Sequence, residues 1–158
     1  EGRMKTALYV ATVARTYRKA LDDLEKGREV YEQNLPWYEQ QITGCTYRRF
    51  TTGFFYGKPD ENSQIYDSNT YEKDYVYLGI AGQPDADGVF ELEQRNKFSV
   101  GETIEIMKPD GRNIEVTVEH IQDLEGNEQE SAPHAKQALK VKLSSAPEAM
   151  DILRRKDF

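Results

Sequence analysis

The stretch that decides the fold is Thr103–Ile121, TIEIMKPDGRNIEVTVEHI. Ile104 and Ile106 alternate with polar residues before Pro109-Asp110-Gly111, and Ile114, Val116 and Val118 alternate after it. Apolar residues at every second position share one face of a strand, and PDG between two such runs is a hairpin turn. The same period runs outward on both sides. YVYLGIAG begins at Tyr75, VFELEQRNKF at 89–98 carries Phe90 and Leu92, and ALKVKLS at 138–144 carries Leu139, Val141 and Leu143. PDADG at 84–88, SVG at 99–101 and EGNEQESAPH at 125–134 are the turn signals between them. Short strands with polar outer faces predict a small closed antiparallel β-barrel, because an open sheet of this size exposes its edges. The terminal LRRKDF predicts a basic helix end or a tail.

Upstream the period changes to that of a helix. From Thr6 to Gly27, the residues Tyr9, Val13, Tyr17, Ala20 and Leu24 form one apolar stripe, and Ala7, Ala11 and Ala14 add a second face of small residues. Thr6 suits the N-cap and Gly27 the stop. At 1.5 Å per residue the helix spans about 30 Å. A helix with two apolar faces predicts more protein around it. Residues 28–35 read as a linker, and Pro36–Thr43 as a short helix with proline in its first turn. The segment Tyr47–Gly57, YRRFTTGFFYG, is too apolar for a solvated loop and too irregular for a strand; the polar Lys58–Tyr71 that follows is a loop. Three parts result: helices at 1–46, a connecting motif and loop at 47–73, and the strands at 74–158. The class is α+β.

Composition bounds the chemistry. The chain has 158 residues, 37% hydrophobic and 31% charged, with a net charge of −7. Residues 1–57 hold 9 Lys and Arg against 7 Asp and Glu, while residues 58–158 hold 12 against 21. The strand half, at −9, repels phosphate at long range, so contact with RNA needs local basic spots or another domain. The lone Cys45 excludes an internal disulfide and a cysteine cluster within the chain, and His120 and His134 are not at ligand spacing. No apolar run is long enough for a membrane span and no signal peptide is visible. A cytoplasmic protein is expected, and a start lacking methionine reads as a cut.

Candidate site residues are few. Glu91 and Glu93, and Glu115 and Glu119, alternate along strands and read as an exposed face rather than an acid pair. The acids of DADG at 85–88 lack the later Glu of an EF-hand loop. Spacing alone indicates no active site. Two basic spots could hold a phosphate or carboxylate: Arg48 with Arg49, and Arg95 with Lys97. Lys140 and Lys142 point away from the apolar face of their strand and read as solvated.

EGRMK at 1–5 together with YVATVARTYRKALDD at 9–23, the motif YRRFTTGFFYG, and NKFSVGETIEIMKPDG at 96–111 resemble, in order, successive parts of the peptidase U32 family. That family takes in collagenase-like proteases and bacterial proteins of tRNA wobble-uridine hydroxylation. Tyr47 stands where the family often has His, so a role resting on that His does not carry over. The resemblance implies an upstream TIM-like catalytic barrel whose cysteines hold an iron–sulfur cluster or metal, with no cofactor in this chain. Glu1 and Arg3 would then edge the parent's active site, at the end of its last strand. The Thr6–Gly27 helix would be the barrel's last helix. The small strand barrel resembles those of translation factors. Tyr47–Gly57 becomes a tether, with Phe50, Phe54, Phe55 and Tyr56 as a wedge that buries area. Alternatively, Arg48, Arg49 and Phe54 form a lip on which bases stack. Three functions follow: an accessory domain seating tRNA for 5-hydroxylation of uridine 34, a reaction linked to prephenate; a substrate domain of a U32 peptidase; or a structural lid. Catalysis would belong to the full-length parent. The partners implied are the upstream barrel and tRNA, with no membrane.

Overall fold

The computed structural model describes residues 5–44, 53–58 and 74–157. Six strands make one antiparallel sheet: β1 Tyr75–Ile80, β2 Val89–Glu93, β3 Thr103–Met107, β4 Asn113–Asp123, β5 Ala138–Leu143 and β6 Ile152–Lys156, in the order β1-β6-β3-β4-β5-β2. The hairpin of the opening stretch is β3–β4, with Ile104 opposite Val116 and Ile106 opposite Ile114. Its turn closes where the Lys108 N–H donates to Arg112 O at 2.9 Å. One face of every strand feeds a single core in which Leu78, Phe90, Phe98, Ile121 and Leu153 are among the fully buried side chains.

The C-terminal run is neither helix nor tail. It is β6, inserted between β1 and β3, with Leu153 in the core and Arg154 opposite both Tyr77 and Glu105. Only two apolar residues precede three basic ones, so its alternation is too short to be read as a strand.

The sheet is not closed. β1 and β2 are its edges, and no ladder joins them. They touch through one bridge, Ala81 with Leu92, flanked by Gly82 N–H to Glu91 O and Arg95 N–H to Leu78 O, both 2.9 Å. β1 bulges between Tyr77 and Gly79 on the way to that contact. A Cβ at Gly79 would stand 2.4 Å from Leu92 Cδ1 and 2.9 Å from Glu93 O. The absence of a side chain there is what lets the two edges approach.

The helices are α1 Ala7–Lys26, α2 Arg28–Gln33 and α3 Leu35–Gly44. Thr6 occupies the N-cap of α1, and Gly27, at φ 136°, a conformation few other residues adopt, separates it from α2. The expected linker is thus mostly helix; REVYEQ buries no residue, so it leaves no apolar period to read. The apolar stripe expected on α1 is only partly covered. Tyr17 and Leu24 face solvent, and the buried residues are Leu8, Thr12, Arg15, Thr16 and Asp23. Leu8 packs with Tyr77, Met107 and Ile152 on the outer face of β1, β3 and β6, opposite the main core. Each such apolar side chain contributes about 1.5–3 kcal/mol when fully buried.

Gly79→Ala is expected to lower unfolding free energy by about 1–3 kcal/mol more than Gly27→Ala, which has an equally unusual φ but nothing within 4 Å of its added Cβ. Urea titration of both variants measures the difference. Equal losses would mean that the β1–β2 contact does not need the space.

Candidate functional site

The most heavily charged place in the interior is the junction of helices and sheet. Arg154, 1% exposed, donates from Nε and Nη2 to Glu105 Oε2 at 2.9 Å, and its guanidinium lies 3.7 Å from the centroid of the Tyr75 ring. Gln41 of α3 presents Oε1 to Nη2 of Arg15 and, at 3.5 Å, to Nη2 of Arg154. Arg15 also donates from Nη1 to Lys108 O at 3.1 Å and to Arg112 O at 3.4 Å, so α1 grips the β3–β4 turn. Two guanidiniums thus share one amide oxygen. Burial, and then the charge of Arg154, lower the Arg15 pKa to about 10. Beside them Lys108 reaches Asp151 at 2.6 Å and Glu148 at 3.2 Å; its burial lowers the pKa, but these hydrogen bonds outweigh that and raise it. All but Arg15 Nε, which is buried without a partner, hold helices, turn and β6 together. The arrangement is a lock.

A second hub fixes the helices to one another. Asp23 accepts hydrogen bonds from Lys19 Nζ at 2.6 Å, Tyr38 Oη at 2.8 Å, Asn34 Nδ2 at 3.0 Å and Lys26 Nζ at 3.2 Å. Burial pushes its carboxyl up, but the bonds from Lys19, Tyr38 and Lys26 outweigh it and hold the group well below the usual carboxylate range. Burial, and then the bond to Asp23, push the Tyr38 hydroxyl up to about 12.

What the helices offer outward is apolar. Val10, Ala14, Tyr17, Leu21 and Leu24 follow one another at spacings of four and three along α1, and all are exposed. The four large ones are 50–63% exposed, and Leu35 adds to the patch at 38%. A recess of about 480 Å³ opens beside this row, between Tyr17, Ala20, Tyr31, Leu35 and Ile42. A row of this spacing is the pattern by which one helix packs on another, and a contiguous exposed apolar patch marks an interface.

Of the residues singled out in the sequence, Phe54, Arg95 and Lys97 are among the described residues. Arg95, on the bend after β2, is occupied by Glu93 at 2.8 Å. Lys97 is exposed two residues further on. Phe54 is 80% exposed, and Phe55 and Tyr56 are 83% exposed, so the wedge buries none of these three rings in this chain. Glu1, Arg3, Arg48, Arg49, Tyr47 and Phe50 lie outside the described residues, as does the groove that would join the two arginines to Arg95 and Lys97. Among the described residues no three His, Cys, Asp or Glu side chains gather as metal ligands. Those residues therefore offer no ligand set for an iron–sulfur cluster or a catalytic metal. Among them too, no helix is long and apolar enough to cross a membrane. The buried polar groups Arg15, Asp23, Gln41, Glu105 and Arg154 were not legible as a site. Of the outward row on α1, the expected stripe held Tyr17 and Leu24 and the small-residue face Ala14, while Val10 and Leu21 were missed although they continue the same spacing of four and three.

Comparison with known proteins places this architecture. Residues 1–65 match the model of peptidase family U32, and residues 73–154 match that of the peptidase family U32 C-terminal domain. The chain belongs to the peptidase U32 family. It is 33% identical over 156 residues to tRNA hydroxylation protein P1 of Bacillus subtilis, covering 98% of this chain and 37% of that protein. It is 33% identical over 135 residues to tRNA hydroxylation protein P of Escherichia coli, covering 84% of this chain and 28% of that one. Among solved structures, the C-terminal domain of a Geobacillus thermoleovorans protein assigned to the U32 peptidases aligns at 29% identity and a TM-score of 0.46, covering 52% of this chain and 92% of that one. The U32 chain described here spans about a third of the length of its curated relatives.

Two outcomes follow from the buried charges. Arg154→Met leaves Glu105 buried without its partner and is expected to lower stability by about 3–5 kcal/mol, while Arg154→Met combined with Glu105→Leu recovers most of the loss; urea unfolding distinguishes the two. Asp23 stabilises the fold fully above the ordinary Asp pKa of about 4, and the contribution is lost as pH falls from there through the lower folded value. Asp23→Asn is therefore expected to be less stable than the parent at neutral pH by about 2–3 kcal/mol, with the gap closing as pH drops below about 4. Thermal melts followed by far-UV circular dichroism read this. A gap independent of pH would remove Asp23 as the titrating group.

Proposed function

We propose that this chain is the C-terminal portion of a tRNA-modifying U32 enzyme, an accessory part that docks on an upstream catalytic barrel and helps position tRNA for 5-hydroxylation of the wobble uridine. The observation that carries the reading is the outward row of α1. Its apolar side chains stay exposed among the described residues, while 98% of the chain aligns with a tRNA hydroxylation protein more than twice as long. In this reading the segment 1–46 closes the upstream TIM-like barrel, with α1 as its last helix and Glu1 and Arg3 at the rim of its active site. Segment 47–73 links it to the sheet domain at 74–158. An iron–sulfur cluster or metal, where the enzyme uses one, sits in the upstream barrel and supplies the redox or Lewis-acid chemistry. This chain's residues bind and orient. A cytoplasmic setting goes with a tRNA substrate.

A chimera tests the proposal. The matching region of the Bacillus subtilis relative is replaced by this chain in a strain lacking its own tRNA hydroxylation proteins, and tRNA nucleosides are analysed by mass spectrometry. The chimera is expected to restore hydroxylated uridine. Removing residues 74–158, or changing Leu21 and Leu24 together to Asp, is expected to reduce it at least about tenfold at equal protein level, the effect of about 1.4 kcal/mol. Unchanged modification after removal of residues 74–158 would sink the accessory role. Proteolysis by the chimera without tRNA modification would return the chain to the family's peptidase reading.

A further inference from the structure

The outer face of β4, β5 and β2 lies away from the helices, which pack over β1, β3 and β6. Lys140 and Lys142 stand on this face, two residues apart on β5, so their origins are about 7 Å apart. In this acidic chain most arginines and several lysines are engaged: Arg18 with Asp22, Lys19 and Lys26 with Asp23, Arg95 with Glu93, Lys108 with Asp151, Arg112 with Asp110, Arg155 with Glu102. Lys140 and Lys142 are not. Glu91 is directly across from Lys140 in the β2–β5 register, yet among the described residues neither lysine makes an ion pair or side-chain hydrogen bond. Their stems are half-buried on a strand paired on both sides, which limits the rotamer freedom of two long side chains. Beside them His120 and Gln122 of β4, in register with Lys142 and Lys140, line a recess of about 180 Å³ with Val89 and Glu128. Gln122 and His120 both lean on Glu128, through Nε2 to Oε1 at 2.6 Å and Nδ1 to Oε2 at 3.8 Å.

We propose that this face is a phosphate-contact surface for RNA, with Lys140 and Lys142 on successive phosphates of one strand and His120 and Gln122 beside them at the sugar. The proposal rests on the tRNA reading above and names the surface that reading lacks, in place of Arg95, whose guanidinium is taken by Glu93. Two unpaired ammonium groups on a fixed strand act as point charges for phosphate. Glu91 and Glu128 on either side confine the positive region to those two groups. The face therefore positions one stretch of backbone and does not gather polyanion at large, which suits a strand half that is acidic overall. An acidic protein partner, by contrast, needs a broader basic surface than two side chains between two carboxylates.

The test uses the whole chain and an unmodified transcript of a tRNA with uridine at the wobble position, with affinity measured across a salt series. Binding at low salt is expected. Lys140→Gln with Lys142→Gln should weaken it about tenfold and make the slope of log K against log salt shallower by about 1.4–1.8, the value for two phosphate contacts. Arg95→Gln with Lys97→Gln should leave both unchanged. The lysines are outward, so an unaltered melting curve confirms that the variant is folded. No binding at any salt, or equal binding by the Lys140/Lys142 variant, overturns the proposal. So does equally tight capture of an acidic peptide through the same lysines. None of these results touches the accessory role, which stands or falls on the chimera lacking residues 74–158.

Discussion

One carboxylate holds this molecule in its arrangement. Glu105, on the outer face of β3, is the acid that meets Arg154, and Arg154 is the residue that sets β6 between β1 and β3. A strand ending in three basic residues is poor material for the middle of a sheet, because a buried guanidinium without a partner costs several kcal/mol. Glu105 supplies the charge, the Tyr75 ring a face for the cation, and Gln41 a dipole that Arg154 shares with Arg15. The same few atoms therefore fix strand order, register and the seat of the helices. Ion pairs of this kind add little net stability over a well-packed apolar replacement. What this one fixes is orientation, since a guanidinium satisfied in one geometry only leaves β6 one register.

That explains how much of the fold was readable. β1 to β5 were legible because each has apolar residues at every second position with turn residues between. Ile104, Ile106, Val116 and Val118 need only the rule that one face of a strand is dry. β6 was hidden because only Leu153 faces the core, while the charge of Arg154 beside it is buried on the outer face and neutralised by Glu105, remote in sequence, a fact no local pattern holds. α1 failed in the opposite sense. Its ends, Thr6 and Gly27, were plain, but its buried face carries Thr12, Arg15, Thr16 and Asp23, and its apolar row faces out. An amphipathic helix is read on the premise that the apolar face is inside. Here the apolar pattern marks the helix and a face that wants further protein, but not the polar face that seats it on the sheet. The closed barrel failed for a further reason: alternation specifies which face is buried, and says nothing about whether the last two edges pair. Ala81 and Leu92 meet, but one bridge is not a ladder.

The inverted helix is the link from fold to function. A polar inner face seats α1 on the sheet through Arg15, and through Asp23 ties it to α3. Both are directional contacts that resist sliding. The apolar outer face offers only non-directional contact. The helix has its specific contacts on one side and its apolar area on the other. Family membership agrees with that division, since residues 1–65 and 73–154 match different domain models while the buried lock joins the two regions in space.

Position then follows from rigidity. If α1 is fixed to an upstream domain by its outer face and to the sheet by Arg15, Gln41 and Arg154, the outer face of β4 and β5 is held at a set distance and angle from that domain. Groups that orient a substrate must be held within about half an ångström to act, which loops rarely achieve and strands do. Lys140 and Lys142 stand on a strand paired on both sides, in the same sheet whose other half carries the lock. Loosening Glu105–Arg154 would thus be felt at β5 as a change in where its two charges are presented, even though no atom of the lock lies near them.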